Sequence, residues 1–456
     1  MRLLKHTVRH TINTVGVFKT FKYKMMLEGA IVGALVGLVI VLFRLGVEKM
    51  ERVTDLLLEL SDKSFLFIPI WGAMLLFIAM VLTFLVKKEP MISGSGIPQL
   101  KADMRGEIRL NWLQVLLCKF VGCTLALGGG LSLGREGPSI QIGGMIGKGF
   151  SRVTKRIPAE ERFLMSCGAG AGLTAAFNAP IAGAIFCLEE LNKSFSEKTL
   201  LTAMSATITA DFVSSYVFGL KPIFTLKVGQ TMPLKYYWLI IVTGVVLGLF
   251  GVVFNKTLSK FQDLYKKKFF KRFKIFIPFA MVFVLGFAYP AVIGGGADLV
   301  DLASTGRMTI GAMCLLFVVK FVFFMFCFGS GAPGGIFMPM LVFGAVLGGI
   351  IGQSFGITLG FGNIYLETFV IVGMAGYFAA IVRAPITGII LISEMTGSLS
   401  HLLALSLVSL TAYFVADICR AKPVYDQLLQ RILNERHNHP QGARVRRSGR
   451  VKRPQA

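Results

Sequence analysis

Gly134-Arg135-Glu136-Gly137-Pro138, flanked by Leu127-Gly-Gly-Gly-Leu-Ser-Leu133 and Ser139-Ile-Gln-Ile-Gly-Gly144, sets a carboxylate in apolar surroundings. At the centre of a membrane helix a charged residue costs roughly 2.5 to 3.5 kcal/mol, so Glu136 is a functional candidate from the outset. Arg135 is a poor partner for it, because adjacent residues of a helix do not face each other. Pro138 marks a helix start, since proline is favoured in a first turn, where its missing N–H would have no partner.

Outward from this stretch the chain has the composition of a polytopic membrane protein. Hydrophobic residues make up 54% of its 456 positions and charged residues 16%, against about 25% charged in soluble domains. Phe65 to Val86, Tyr236 to Asn255 and Phe321 to Leu366 carry no charge, and each is long enough for a span of about 20 residues. Other apolar stretches are shorter and cut by Gly or Pro, the pattern of broken helices whose ends meet inside a membrane. The expected fold class is therefore all-α, with re-entrant helices meeting at a central site.

The net charge of +24 does not point to nucleic acid, because it is clustered. Arg2, Lys5, Arg9, Lys19, Lys22 and Lys24 precede the first span. Lys266, Lys267, Lys268, Lys271, Arg272 and Lys274 fill a mid-chain loop, and Arg444 to Arg453 lie in the tail. Under the positive-inside rule these three clusters lie on the cytoplasmic side, with both termini, in a multi-pass protein of the cell membrane. Cys118, Cys123, Cys167, Cys187, Cys314, Cys327 and Cys419 lack metal-ligand spacing, and the five histidines are scattered, so neither a metal nor a cofactor is expected. No Ser/His/Asp set is present for an enzyme reading, such as a membrane-embedded enzyme acting on lipid or nucleotide.

The second half of the chain repeats the first. At an offset of 201, Lys119-Phe-Val121 falls on Lys320-Phe-Val322, Gly128 on Gly329, Gly134 on Gly335, Pro138 on Pro339 and Gly143 on Gly344. At 205, Gly168 falls on Gly373, Ala179-Pro-Ile181 on Ala384-Pro-Ile386, and Glu189 on Glu394. Apolar composition alone does not align Gly, Pro, Lys and Glu in this way. Repeated halves with a binding site at their interface are a transporter architecture, here expected as two inverted-topology repeats.

Three glycine-rich turns recur: Gly94-Ser-Gly-Ile-Pro98, Gly134-Arg-Glu-Gly-Pro138 and Gly335-Ile-Phe-Met-Pro339. Each can start a helix, and the free N–H groups and positive dipole ends of such helices hold an anion without a full positive charge. Ser95 adds a hydroxyl donor, and the glycines Gly94, Gly96, Gly134, Gly137 and Gly335 with Pro98, Pro138 and Pro339 shape the turns. Gly329-Ser-Gly-Ala-Pro-Gly334 also matches a dinucleotide fingerprint, but no strand-helix-strand unit surrounds it.

With Phe177-Asn-Ala-Pro180 before Glu189-Glu190, and with Lys422-Pro-Val-Tyr425, these turns resemble the CLC family of chloride channels and chloride/proton antiporters, in the form without cytoplasmic regulatory domains. The resemblance runs from the first spans to about Gln430. It implies a chloride site formed by Ser95, the backbone N–H groups of Ile336 and Phe337, and the Tyr425 hydroxyl. It also implies Glu136 as the gating carboxylate, Glu190 as the inner proton relay, and a homodimer meeting at Pro180 to Glu190 and Pro385 to Met395. An acid at Glu190 is similar to the antiporters, while channels usually have an apolar residue there; by its neighbours Asn192 and Lys193 alone it reads equally as a helix-end carboxylate. The expected function is chloride/proton exchange, and the alternative is a passive voltage- or pH-gated chloride channel of the same fold. Nitrate-preferring relatives carry proline where Ser95 stands, and fluoride exporters depart in the second and third turns. One departure is Gln99-Leu-Lys101, where some bacterial antiporters have acidic residues, which bears on inner-side electrostatics.

The expected organisation is a basic amphipathic helix over 1–24, a first membrane repeat over 25–220, a second over 221–430, and a basic disordered tail over 431–456. Lys119, Arg135 and Arg383 are candidates for drawing anions into the vestibules or for ion pairs with carboxylates such as Glu394.

Overall fold

The computed structural model describes residues 2–224, 226 and 232–438. Its first half contains α1 (Arg2–Lys63), α2 (Phe67–Lys88), α3 (Ile97–Met104), α4 (Trp112–Gly128), α5 (Glu136–Val153), α6 (Pro158–Phe177), α7 (Pro180–Phe186), which runs on as a wider helical turn over Cys187–Asn192, and α8 (Glu197–Phe218). The second half contains α9 (Tyr237–Leu264), α10 (Lys268–Arg272), α11 (Phe276–Ala288), α12 (Asp298–Ser304), α13 (Ile310–Gly329), α14 (Phe337–Leu359), α15 (Leu366–Val382), α16 (Pro385–Thr396), α17 (Leu402–Ile418) and α18 (Val424–Asn438). Among the described residues there is no β-sheet, only two isolated bridges between turns. This suits a hydrocarbon medium, in which helices satisfy their own backbone groups.

Five helical stretches among the described residues are long and apolar enough to cross a membrane: Tyr23–Lys63, Phe67–Lys88, Leu234–Leu264, Ile310–Gly329 and Phe337–Leu359. Other apolar helices, such as Trp112–Gly128 and Leu402–Ile418, are shorter, in line with the interrupted hydrophobic pattern. The backbone is helical from Arg2 into the first span without a break, so 1–24 is not a separate element. The side chains of its first 22 residues, and thus the expected amphipathic face, lie outside the described residues, as does the tail from 439 onward. Residues 431–438, assigned to a disordered tail by composition, are instead the end of α18, which Arg431 ties to Asp263 and to the Ser259 carbonyl.

Small residues let the central helices touch backbone to backbone, as is common where lipid supplies no hydrophobic drive between helices. A Cβ on Gly143 of α5 would run into the Gly168 carbonyl of α6, and one on Gly344 of α14 into the Gly373 carbonyl of α15. The two pairs are the ones the sequence offsets relate.

Two further features join related positions of the halves. The Glu394 carboxylate at the end of α16 accepts from Ile181 N (3.0 Å) and Ala182 N (2.8 Å), the first turn of α7. Glu189, beyond α7, accepts reciprocally from Ile386 N (3.1 Å) and Thr387 N (2.6 Å), the first turn of α16. Each carboxylate thus satisfies N–H groups that have no partner within their own helix. Lys119 donates from Nζ to the carbonyls of Ile92 (2.8 Å) and Gly94 (2.6 Å), and Lys320 to those of Val292 and Gly294 (both 3.1 Å). Lys119 is therefore neither an anion attractor nor the partner of a carboxylate: it is fully buried and holds the backbone of the Ser95 turn. Arg383 likewise donates to the carbonyls of Tyr413 and Ala421, with Asp417 at 3.5 Å.

Candidate functional site

The three glycine-rich turns converge. Gly134 N donates to Gly335 O (2.8 Å) and Gly335 N to Gly134 O (2.6 Å), so the second and third turns are joined as an antiparallel pair. A Cβ on Gly137 would meet Ser95 Oγ at 2.5 Å and Gly335 Cα at 3.1 Å, so all three turns touch at that point. Gly94 and Gly96 hold φ of +63° and +91°, the left-handed region that costs glycine little. At Gly96 a Cβ would also strike the side chain of Gln141. The Ser95 turn is fixed from the other side by Gln99 Nε2, which donates to the Ser93 carbonyl (2.8 Å). Pro98 lies in the first turn of α3, and Pro138 and Pro339 are the third residues of α5 and α14.

Glu136, the first residue of α5, is 1% exposed. Its Oε2 accepts from Met338 N at 3.3 Å, at the first turn of α14, while Oε1 has no partner. The family resemblance implies the N–H groups of Ile336 and Phe337 as donors to chloride at this helix end; the N–H that the Glu136 carboxylate engages is that of Met338. Ile336 and Phe337 are fully buried beside it, and the Phe337 ring packs on Phe177 and on Phe378, with centroids at 5.4 and 4.7 Å. Arg135 points to Glu48, 3.8 Å away, and not to Glu136.

Ser95 and Tyr425 are buried, and neither the Ser95 Oγ nor the Tyr425 hydroxyl has a hydrogen-bond partner. A buried hydroxyl left unpaired costs free energy, so two such groups beside buried helix ends mark a polar site. Tyr425 lies in the first turn of α18, within electrostatic reach of both Glu136 and Glu190.

Two cavities flank the site. One, of about 420 Å³, is lined by Ser95, Pro98, Gln99 and Phe328 and by the basic side chains of Lys266, Lys274, Arg431 and Arg436. The other, of about 600 Å³, is lined by Gly134, Arg135, Glu136 and Met338 and by the acids Glu51, Asp55 and Asp298. Ser95 faces the basic cavity and Glu136 the acidic one.

Glu190 is buried, as a helix-end carboxylate in solvent would not be. Its partner is Lys101 Nζ at 2.7 Å, which also reaches Asp426 Oδ1 at 2.8 Å; Asp426 Oδ2 meets Lys193 Nζ at 2.5 Å. Burial pushes the Asp426 carboxyl up, but the hydrogen bonds and charges of Lys101 and Lys193 outweigh it and hold the group below its ordinary value. Sequence reasoning marks Lys101 as a departure without showing its partners. The available signal is a lysine in a short helix whose other residues are almost all suited to burial, which requires a countercharge.

Fold and site together define a multi-pass, all-helical membrane protein built around a buried carboxylate lodged at a helix end. The chain belongs to the voltage gated chloride channel family, the CLC family, which matches residues 77–417. It is similar to the H(+)/Cl(-) exchange transporter ClcA of Salmonella arizonae and to that of Salmonella typhimurium. Each is 36% identical over 421 residues, covering 90% of this chain and 89% of the relative. Its fold matches the crystal structure of a slow cyanobacterial Cl-/H+ antiporter with a TM-score of 0.86 and 30% identity, over 91% of this chain and 99% of that one. It matches a CLC-type fluoride/proton antiporter in fold, with a TM-score of 0.70 and 22% identity, over 88% and 97% of the two chains. This is a transporter family, not an enzyme family.

Proposed function

We propose that the protein exchanges chloride for protons across a membrane, with Glu136 competing with chloride for a site made by helix N-termini. The observation that carries this reading is the Glu136 carboxylate seated on Met338 N, beside the unpartnered hydroxyls of Ser95 and Tyr425. An ionised carboxylate and a chloride ion are both anions, so one helix end takes one or the other. Protonation removes the charge that holds Glu136 there and frees the position for chloride; chloride nearby in turn favours the neutral acid. Proton and chloride movements are thereby linked through one side chain.

In this reading Ser95, Tyr425 and the first N–H groups of α14, at Ile336 and Phe337, bind chloride. Glu190 passes protons from the cytoplasmic side to Glu136, which supports antiport over the alternative of a passive channel. The two halves are inverted repeats. Support comes from the antiparallel pairing of Gly134 with its mate Gly335 and from the reciprocal capping by Glu189 and Glu394. The membrane repeats span 25–220 and 221–430. The basic cavity, beside Lys266 and Lys274, is the cytoplasmic one, and both termini lie on that side. Two copies meet through α7 and α16, whose Ile181 and Ile386 are exposed.

The test is a chloride gradient imposed on proteoliposomes: exchange drives protons uphill, and an absence of proton movement leaves the channel. Glu190→Gln is expected to keep chloride flux and lose proton flux; normal exchange in that variant would return Glu190 to a structural role.

A further inference from the structure

Lys101 lies on α3, six residues after Ser95, with its side chain sealed from solvent. Its ammonium is shared between Glu190 of the α7 extension and Asp426 of α18, the residue after Tyr425. Side-chain exposure rises along the row: 4% at Glu190, 25% at Asp426 and 46% at Lys193. Other charges facing Glu190 are few. Lys193 closes its own helical turn, and Tyr425 and Asp426 come from α18. From α6 come Ser166, bonded by Asn192 and Cys187, and Cys167; the buried face of α8 there carries Thr199 and Thr202.

A lysine paired with Glu190 alone would favour the carboxylate so strongly that a proton relay would stall, because neutralising one member of a buried pair leaves the other charge without a partner. With Asp426 on the same ammonium, the charge is never stranded. We propose that Lys101 is a positioning residue that passes its partnership from Glu190 to Asp426 whenever Glu190 takes a proton. This rests on the reading of Glu190 as the proton relay. The proton moves from hydronium in cytoplasmic water to a Glu190 carboxylate oxygen, so that one O–H bond breaks in the donor and one forms on the carboxyl, while at Lys101 only hydrogen bonds rearrange. Because Lys101 follows the Ser95 turn and Asp426 follows Tyr425, their ion pair also ties together the two elements that carry the hydroxyls of the site.

The sign of the effect differs for the two partners. Removing the cation makes Glu190 easier to protonate, whereas removing the alternative partner leaves the cation wholly to Glu190 and makes protonation harder. The experiment measures proton and chloride flux of the full-length protein in proteoliposomes as a function of pH on the cytoplasmic face. Lys101→Met is expected to move the midpoint of the proton-flux profile upward by about one pH unit or more, and Asp426→Asn downward by a similar amount. Lys101→Arg should hold the midpoint. Shifts of the same sign, or no shift, in variants with normal chloride flux would overturn the proposal. Should Lys101→Met fail to fold, the quarter-exposed Asp426→Asn decides by itself: an unmoved or raised midpoint sinks the idea. Glu190→Gln serves as the separate control, since retained proton flux there would remove the relay reading rather than the role of Lys101.

Discussion

The turns Gly134–Pro138 and Gly335–Pro339 share a backbone and differ in what they carry. They pair with each other through two N–H to carbonyl bonds, and each opens a helix with proline at its third position. From the first turn a carboxylate crosses to the N-terminus of α14; from the second, the corresponding position carries Phe337, packed between Phe177 and Phe378. The first turn supplies a carboxylate, and the second opens the helix whose Met338 N–H holds it. The two turns keep glycine first and proline last and differ at the three positions between, and of these it is the exchange of Glu136 for Phe337 that puts a carboxylate at one helix end only.

The largest way to break this difference is to remove the charge. Glu136→Gln keeps the shape of the side chain, so chloride should still flow while coupled proton flux falls to background in a proteoliposome assay; stoichiometric coupling in that variant would show that the gate lies elsewhere. The next is to separate the two turns. A Cβ on Gly335 would meet Gly134 O and Gly137 N, each at 2.9 Å, and both are backbone atoms that cannot swing aside. Gly335→Ala is expected to destabilise the fold by about 1–3 kcal/mol, seen as a lower melting temperature in detergent, and to depress chloride flux. An unaltered melting temperature would mean that the paired turns can part without cost. A subtler change sharpens the site itself. Ser95→Pro removes the unpartnered hydroxyl, and chloride preference over nitrate should fall several-fold; unchanged selectivity would show that this hydroxyl does not face the ion.

Much of this is legible in the sequence because close approach dictates residue type. Where backbones touch, as at Gly143 on Gly168 or Gly134 on Gly335, only glycine fits, and the constraint appears in the sequence as glycines at fixed offsets. The Glu136 carboxylate is legible because its burial is costly. What the sequence hides are pairings between distant segments with no local pattern: Lys101 with Glu190 and Asp426, Lys119 with the Gly94 carbonyl, and Arg44 with Ala175 O, Asn178 and Ser214. A charge in an apolar run states that it needs a partner without saying which one. The order of 431–438 is hidden for a related reason, since a polar, basic composition reads as a tail until Arg431 is seen to engage Asp263.

The smallest expected effect tests whether the halves are equivalent away from the site. Glu189 and Glu394 are related by the same offset as the glycines of α6 and α15, and each caps the helix of the other half. The two caps should then contribute alike, since a carboxylate lost from a helix N-terminus costs about 0.5–2 kcal/mol. Glu189→Ala and Glu394→Ala are each expected to lower stability within that range, by similar amounts, while proton coupling per chloride is retained. Glu189 also accepts from the Thr387 hydroxyl at 2.7 Å, so any imbalance should make Glu189→Ala the more damaging of the two. A large loss from one variant and none from the other would show that the symmetry of the turns does not extend to α7 and α16. The likeness between the halves would then hold only at the centre of the molecule.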